Sequence, residues 1–142
     1  MIILDTNVLS ALMQRTPQRA VLDWLDQQAP QSIWITSITL FESRFGLALL
    51  PPGRRRQTLQ AAFELLLQED LEQRVLPFDA AAAAEAASLA AKRQRAGRPV
   101  DMRDTQIAGI ALACRASIAT RNVRHFEGLS VAVFDPWQSA SE

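Results

Sequence analysis

The chain has 142 residues, with 15 Lys+Arg against 15 Asp+Glu, one His, one Cys, no Tyr and 49% hydrophobic residues. That suffices for a domain burying about 68% of its unfolded surface, and the hydrophobic fraction excludes disordered and collagen-like chains. No apolar run reaches the roughly 18 to 20 residues of a membrane span, the start lacks the basic stretch of a signal peptide, and one Cys excludes an internal disulfide.

A cytoplasmic protein without a membrane contact is the expectation, and the lone Cys fits a reducing cytosol. Of the basic residues 14 are Arg and only Lys92 is Lys, and Ala occurs 23 times. A GC-rich genome accounts for both biases. Arg engages phosphate through a bidentate fork, so the bias is compatible with a nucleic-acid partner without arguing for one.

In chain order, Ile2-Ile3-Leu4 reads as a first strand that runs into Asp5 and a short helix around 8–12. Helical spacing covers 17–28 through Val21, Leu22, Trp24 and Leu25. A β-branched strand at 32–36 leads into a helix over 37–50. Pro51-Pro52-Gly53 breaks the chain before a helix over 53–72. Arg74-Val75-Leu76-Pro77 is the weakest strand, ended by its proline. Asp79 fits the N-cap of a helix over 79–96, whose alanine run is good helix former rather than low complexity. Gly97-Arg98-Pro99 stops it. A helix over 102–116 and strands at 117–120 and 131–134 complete the chain.

No repeat or Ser/Gly-rich linker interrupts this pattern, so residues 1–142 read as one domain. Strands alternating with helices predict a parallel sheet covered on both faces, an α/β sandwich. In such sheets the working groups gather beyond the carboxyl ends of the strands.

Three acids stand in unusual places. Asp5 follows the first strand directly, either as a functional carboxylate or as the cap of the short helix. Glu42 lies on the stripe of Ile38, Phe45 and Leu49, where a carboxylate is costly unless paired or bound to a cation. Arg44 or Arg55 would be its salt-bridge partner in the structural reading. Asp104 is in register with Ile107, Ala108 and Ala111, and Asp101 reads as the N-cap three residues before it. Acids sharing one site repel and demand a counter-ion. Oxygen-only ligands suit Mg²⁺ or Mn²⁺, and such an ion supports phosphoryl hydrolysis.

Four blocks carry a family resemblance: Ile3-Leu4-Asp5-Thr6-Asn7-Val8-Leu9, residues 38–46 (Ile-Thr-Leu-Phe-Glu-Ser-Arg-Phe-Gly), Asp104-Thr105-Gln106-Ile107-Ala108, and Ala119-Thr120-Arg121-Asn122. In this order they resemble PIN-domain ribonucleases, and within them the VapC-type toxins of toxin–antitoxin pairs, including the FitB-like branch. Residues 74–79 and 133–137 also look like that branch, so the likeness spans nearly the whole chain.

The resemblance implies a three-layer α/β/α sandwich with a parallel sheet of four to five strands ordered 3-2-1-4-5. It implies a Mg²⁺- or Mn²⁺-dependent endoribonuclease with Asp5, Glu42 and Asp104 as catalytic and metal-binding acids. It further implies an RNA substrate, a homodimer, and a cognate VapB-like, DNA-binding antitoxin across a groove above the acids, with a higher-order assembly open. Asn122 falls where relatives often carry a fourth acid, and His125 where many carry Asp. Asn122, Thr6, Thr120 and Asp101 are therefore read as supporting positions. Arg121 and Arg124 are the preferred RNA phosphate contacts, with Arg54-Arg55-Arg56 a weaker choice. His125 reads as a surface or structural residue ahead of a proton carrier, Cys114 as core, and Trp24, Trp34 and Trp137 as core or interface.

Rival readings fare worse. A dinucleotide-binding fold needs a Gly-rich turn where Asp5-Thr6-Asn7 stands. A dehalogenase-type phosphatase resembles this chain in its first acid, but needs a second Asp at Asn7 and a lysine partner beyond Lys92. A catalytically weak PIN domain, serving as a binding module in an antitoxin–operator DNA complex, remains the alternative.

Overall fold

The computed structural model describes residues 1–138. Strand β1 (Ile2–Leu4) leads into α1 (Thr6–Leu12) and α2 (Arg19–Asp26), and a 3₁₀ turn at Pro30–Ser32 precedes β2 (Ile33–Thr36). Then come α3 (Ser37–Ala48), α4 (Arg54–Leu65), β3 (Val75–Leu76), α5 (Ala80–Arg95), α6 (Met102–Cys114), β4 (Ser117–Ala119), a 3₁₀ turn at Val123–Phe126 and β5 (Val133–Phe134). Every pairing is parallel, and the order is β3-β2-β1-β4-β5. The expected 3-2-1-4-5 sheet is the one observed.

Alternation along the strands divides the core. Ile3 and Ile118 face one layer with Ile107, Ile110 and Ala111 of α6. Leu4, Ile33 and Ile35 face the other, with Val8, Val21 and Phe63. The first strand is thus buried on both sides, as central parallel strands require. Of the core or interface roles expected of the tryptophans, all three take a place at the core's edge: partly buried Trp34 packs on the first cluster, Trp24 and Trp137 on the second. Among the described residues no helix is long and apolar enough to cross a membrane.

Two expectations shift in detail. The helix over 53–72 ends at Leu65 and continues as a π turn, Leu66–Asp70, in which Leu71 N–H reaches back to the Leu66 carbonyl. That wider turn leaves Leu67 and Leu71 buried against the sheet. Cys114 is exposed, not core. It keeps the register of Ile107 and Ala111, but the covering helix α5 starts only at Ala80, beside the end of α6, and the final turn is left open.

The alanines of α5 have a packing role that composition hid. Helices α5 and α6 meet at Gly109, where an added Cβ would stand 2.5 Å from the Ala82 carbonyl oxygen and 2.7 Å from Ala86 Cβ. Gly109→Ala is expected to cost about 1–3 kcal/mol by overpacking, despite alanine's better helix propensity. Thermal unfolding checks this; an unchanged or raised Tm would show that the layers can part freely.

Candidate active site

Parallel register brings the carboxyl ends of β1 and β4 together, with Leu4 opposite Ala119. Asp5 N–H continues the ladder to the Ala119 carbonyl at 2.9 Å. Of the two roles foreseen for it, the cap is the one visible in the fold. Asp5 Oδ1 accepts the Thr6 N–H at 2.8 Å and caps α1, while Oδ2 accepts the Thr120 hydroxyl at 2.8 Å. Its residue exposure is 3%. Burial raises its carboxyl pKa above the ordinary value; the Thr120 and Thr6 hydrogen bonds work against this, and the charges of Asp104 and Glu42 add to it.

Helix α3 starts from Thr36, whose hydroxyl accepts the Thr39 N–H, and this start aims Glu42 at the α1 terminus. Glu42 Oε1 accepts the Thr6 hydroxyl at 2.7 Å, and Thr6 Oγ1 lies 3.0 Å from Thr39 Oγ1. The salt-bridge partner is neither Arg44 nor Arg55. Arg44 pairs with Glu64 across to α4, and Arg103 of α6 donates to Glu42 Oε2 at 3.1 Å. The rest of that stripe is divided: Ile38 packs on the core, whereas Phe45 and Leu49 are exposed.

Helix α6 delivers the third acid. Asp101 caps it by accepting the Asp104 N–H at 3.0 Å, as its spacing predicts. Asp104 sits in the first turn, where the helix favours negative charge. Its Oδ2 lies 2.5 Å from His125 Nδ1. Burial raises the Asp104 pKa, opposed by the His125 hydrogen bond and reinforced by Asp101 and Glu42.

Around these acids Thr6 and Thr120 are each bonded to a carboxylate. Asn122 is exposed, and its N–H donates to Thr120 Oγ1 at 3.0 Å. Arg121 and Arg124 are both exposed beside it, and the Arg121 guanidinium lies 4.8 Å from the Trp137 ring centroid. Three contributors were missed by sequence reasoning. Asn7 Nδ2 lies 3.4 Å from both Asp5 Oδ2 and Thr120 Oγ1, and Asn7 Oδ1 accepts the Arg121 N–H at 3.1 Å, tying the β1 and β4 ends together. Buried Arg93 donates to the His125 carbonyl at 2.9 Å and anchors the turn that carries that imidazole. Arg103 is the third. Its visible signal was a positive charge in the first turn of a helix, where the dipole disfavours it; Arg93 and Asn7 carried none.

Asp5, Glu42 and Asp104 come from three separate elements, and their charges act on one another. Among the described residues no three acid, His or Cys side chains stand close enough to share one ion in this conformation. Each acid is engaged by its own donors instead. The donor set itself, carboxylate oxygens with no thiolate, fits a hard divalent cation. Asp5 is the most buried of the three, and a buried carboxylate is the costliest to leave without a counter-charge.

A family model described as PIN domain matches residues 2–130. The VapC ribonuclease Y4jK of Sinorhizobium fredii is 40% identical over 140 residues, 99% of this chain and 100% of that protein. The chain belongs to the PIN-domain family. Its VapC-type toxin branch is equally plain in solved structures. The crystal structure of FitAcB from Neisseria gonorrhoeae matches with a TM-score of 0.89 at 34% identity, covering 97% of this chain and 99% of that one. DNA-bound VapBC from Salmonella typhimurium matches with a TM-score of 0.79 at 27% identity, covering 95% and 97%.

Two surfaces of this PIN domain flank the acids. A groove of about 890 Å³ between α1, α3 and α4 runs from Thr6 and Glu42 past Met13, Leu47 and Leu59 to Arg55. On α3, Phe41 and Phe45 stack with ring centroids 5.8 Å apart and are 60% and 47% exposed, beside Leu49 at 68%. Leu12, Met13 and Leu47 are partly buried against the core, whereas the two phenylalanines and Leu49 stand exposed.

Proposed function

We propose that this VapC-type PIN domain is a Mg²⁺- or Mn²⁺-dependent endoribonuclease, the toxin of a type II pair, neutralised by a VapB-like, DNA-binding antitoxin. One observation carries the reading. Carboxylates from the end of β1, from α3 and from α6 face the carboxyl edge of the central strands, and Glu42 raises the cost of charge on both Asp5 and Asp104. The VapC ribonuclease relative and the DNA-bound VapBC neighbour support it.

Asp5, Glu42 and Asp104 would hold the ion. When bound, it lowers the pKa of a water and offsets charge on the phosphodiester. The protein's own groups do the rest. Thr6 joins Asp5 and Glu42 through its backbone N–H and its hydroxyl, so the first two acids move as a unit. Thr120 and Asn7 fix the orientation of Asp5 Oδ2. His125 Nδ1 stands at Asp104 Oδ2 and fixes the orientation of the third acid. Arg121, Arg124 and the exposed start of α4 offer phosphate contacts that position the strand without reading its sequence.

Incubation of labelled RNA with the purified protein tests this. Cleavage is expected with Mg²⁺ or Mn²⁺, and is expected to vanish in EDTA or in Asp5→Asn. Cleavage that survives both would refute the reading. The alternative, a catalytically weak binding module, draws on Asn122, a neutral side chain where a fourth acid would complete the pocket. It predicts operator-DNA binding with an antitoxin and no cleavage.

Assembly follows from α3. Phe41, Phe45 and Leu49 form an apolar face whose burial in a homodimer is favourable by about 25 cal/mol per Å². Phe45→Glu is expected to shift the protein from dimer to monomer in light scattering. A wild-type monomer at micromolar concentration would contradict this.

A further inference from the structure

Arg103 has no assigned role in the chemistry above, yet it is the one Arg or Lys among the described residues ion-paired with any of the three acids. Its Nη1 donates to Glu42 Oε2 at 3.1 Å, while Glu42 Oε1 is held by the Thr6 hydroxyl. Both oxygens of that carboxylate are therefore occupied, one by a neutral donor and one by a fixed positive charge. The other acids are held by donors without fixed charge: Asp5 by Thr120, Thr6 and Asn7, and Asp104 by His125.

The pair is lopsided. The Glu42 side chain is 17% exposed and the Arg103 side chain 57%. The acid is anchored, whereas the guanidinium stands at the mouth of the site on a flexible stem. Ion pairs with so exposed a partner are weak, and the first turn of α6 gives Arg103 no help from the helix dipole. Exchange of partners is consequently easy.

We infer that Arg103 is an exchangeable cation, resting on Glu42 and passing to a backbone phosphate of the RNA when Glu42 turns to the divalent ion. Arginine suits both stations, because its fork matches carboxylate and phosphate alike. Whatever draws Arg103 away from Glu42 must favour the metal ion, and the metal ion must favour Arg103's transfer by the same factor. RNA and metal thereby help each other to bind through one side chain. This rests on the metal-dependent reading proposed above.

Mn²⁺ titration of the EDTA-stripped full chain, read by electron paramagnetic resonance without RNA, tests the first half. Arg103→Ala is expected to bind Mn²⁺ about two- to fivefold tighter than wild type, the range of a partly exposed ion pair, and Arg103→Lys to stay near wild type. The RNA KM at saturating Mn²⁺ tests the second half. Arg103→Ala is expected to raise KM and to lower the slope of log KM against log salt by about 0.7, the loss of one single-strand phosphate contact. Arg103→Gln, with Tm measured alongside, serves if the alanine variant folds poorly. Absent Mn²⁺ binding by wild type removes the metal site itself. Wild-type binding with equal or weaker binding by Arg103→Ala overturns the exchange and leaves the metal site standing; a lowered Tm would then mark Arg103 as a plain bridge between α3 and α6. Tighter Mn²⁺ binding with an unchanged KM and salt slope overturns the transfer to phosphate.

Discussion

Asp5→Ala, Glu42→Ala and Asp104→Ala are each expected to lower RNA cleavage on the order of 10³-fold and to abolish growth inhibition, while circular dichroism stays native. The size reflects loss of a group that acts directly on the reacting charge. Residues one contact further out should matter less. Asn7→Ala frees one side of Asp5 Oδ2 and unties Arg121, and a loss of about 10- to 100-fold is expected, as for other groups that orient a ligand. Asn122→Ala removes an exposed amide and should fall at or below that range. Steady-state cleavage of one RNA by all five variants gives the ranking. Full activity in any of the three acid variants removes that residue from the site.

The same acids should weaken the empty protein. Folding raises the Asp5 pKa above its ordinary value of 3.8, chiefly through burial. Between the unfolded and folded values the native state holds more protons than the unfolded one, so stability falls as pH rises through that window. Above it the full cost of a buried charge is borne. At pH 7 in EDTA, Asp5→Asn is therefore expected to melt at or above the wild-type temperature. Divalent ion reverses the order. At a hundred times its Kd an ion contributes about 2.7 kcal/mol, which raises the wild-type Tm by several degrees at this chain length. Asp5→Asn should show little of that rise. Differential scanning calorimetry with and without Mn²⁺ decides the matter. A variant that melts well below wild type in EDTA, or gains equally from Mn²⁺, would show that Asp5 is a structural cap alone.

Much of this arrangement was legible in the residues. The alternation of β-branched runs and helical spacing is local, and it yielded the strands and helices to within a few residues. Asp5, Glu42 and Asp104 stood out because carboxylates interrupt otherwise apolar positions, and the family resemblance supplied the strand order that brings β1 beside β4. Partnerships were not legible. Glu42 finds Arg103 rather than Arg44 or Arg55 because the packing of α3 against α6 is tertiary, and no spacing in sequence encodes it. Periodicity identified the stripe through Phe45 and Leu49 but not whether anything covers it. Cys114 failed for a related reason: register continues to the end of a helix, whereas the helix packed over it begins one turn too late. Arg93, buried near the end of α5, is tied to the site through a backbone carbonyl of a distant turn.

The most direct measurement of the central claim is the chemistry of the RNA ends. Hydrolysis by an ion-activated water breaks one phosphodiester and leaves a linear phosphate monoester on one fragment and a hydroxyl on the other. A nuclease working without the ion would use the neighbouring ribose 2′-hydroxyl and leave a 2′,3′-cyclic phosphate. Mass spectrometry of the fragments produced with Mn²⁺ should find linear phosphate ends, and no fragments at all in EDTA. Cyclic phosphate ends, or the same fragments in EDTA, would contradict a site built on Asp5, Glu42, Asp104 and a divalent cation.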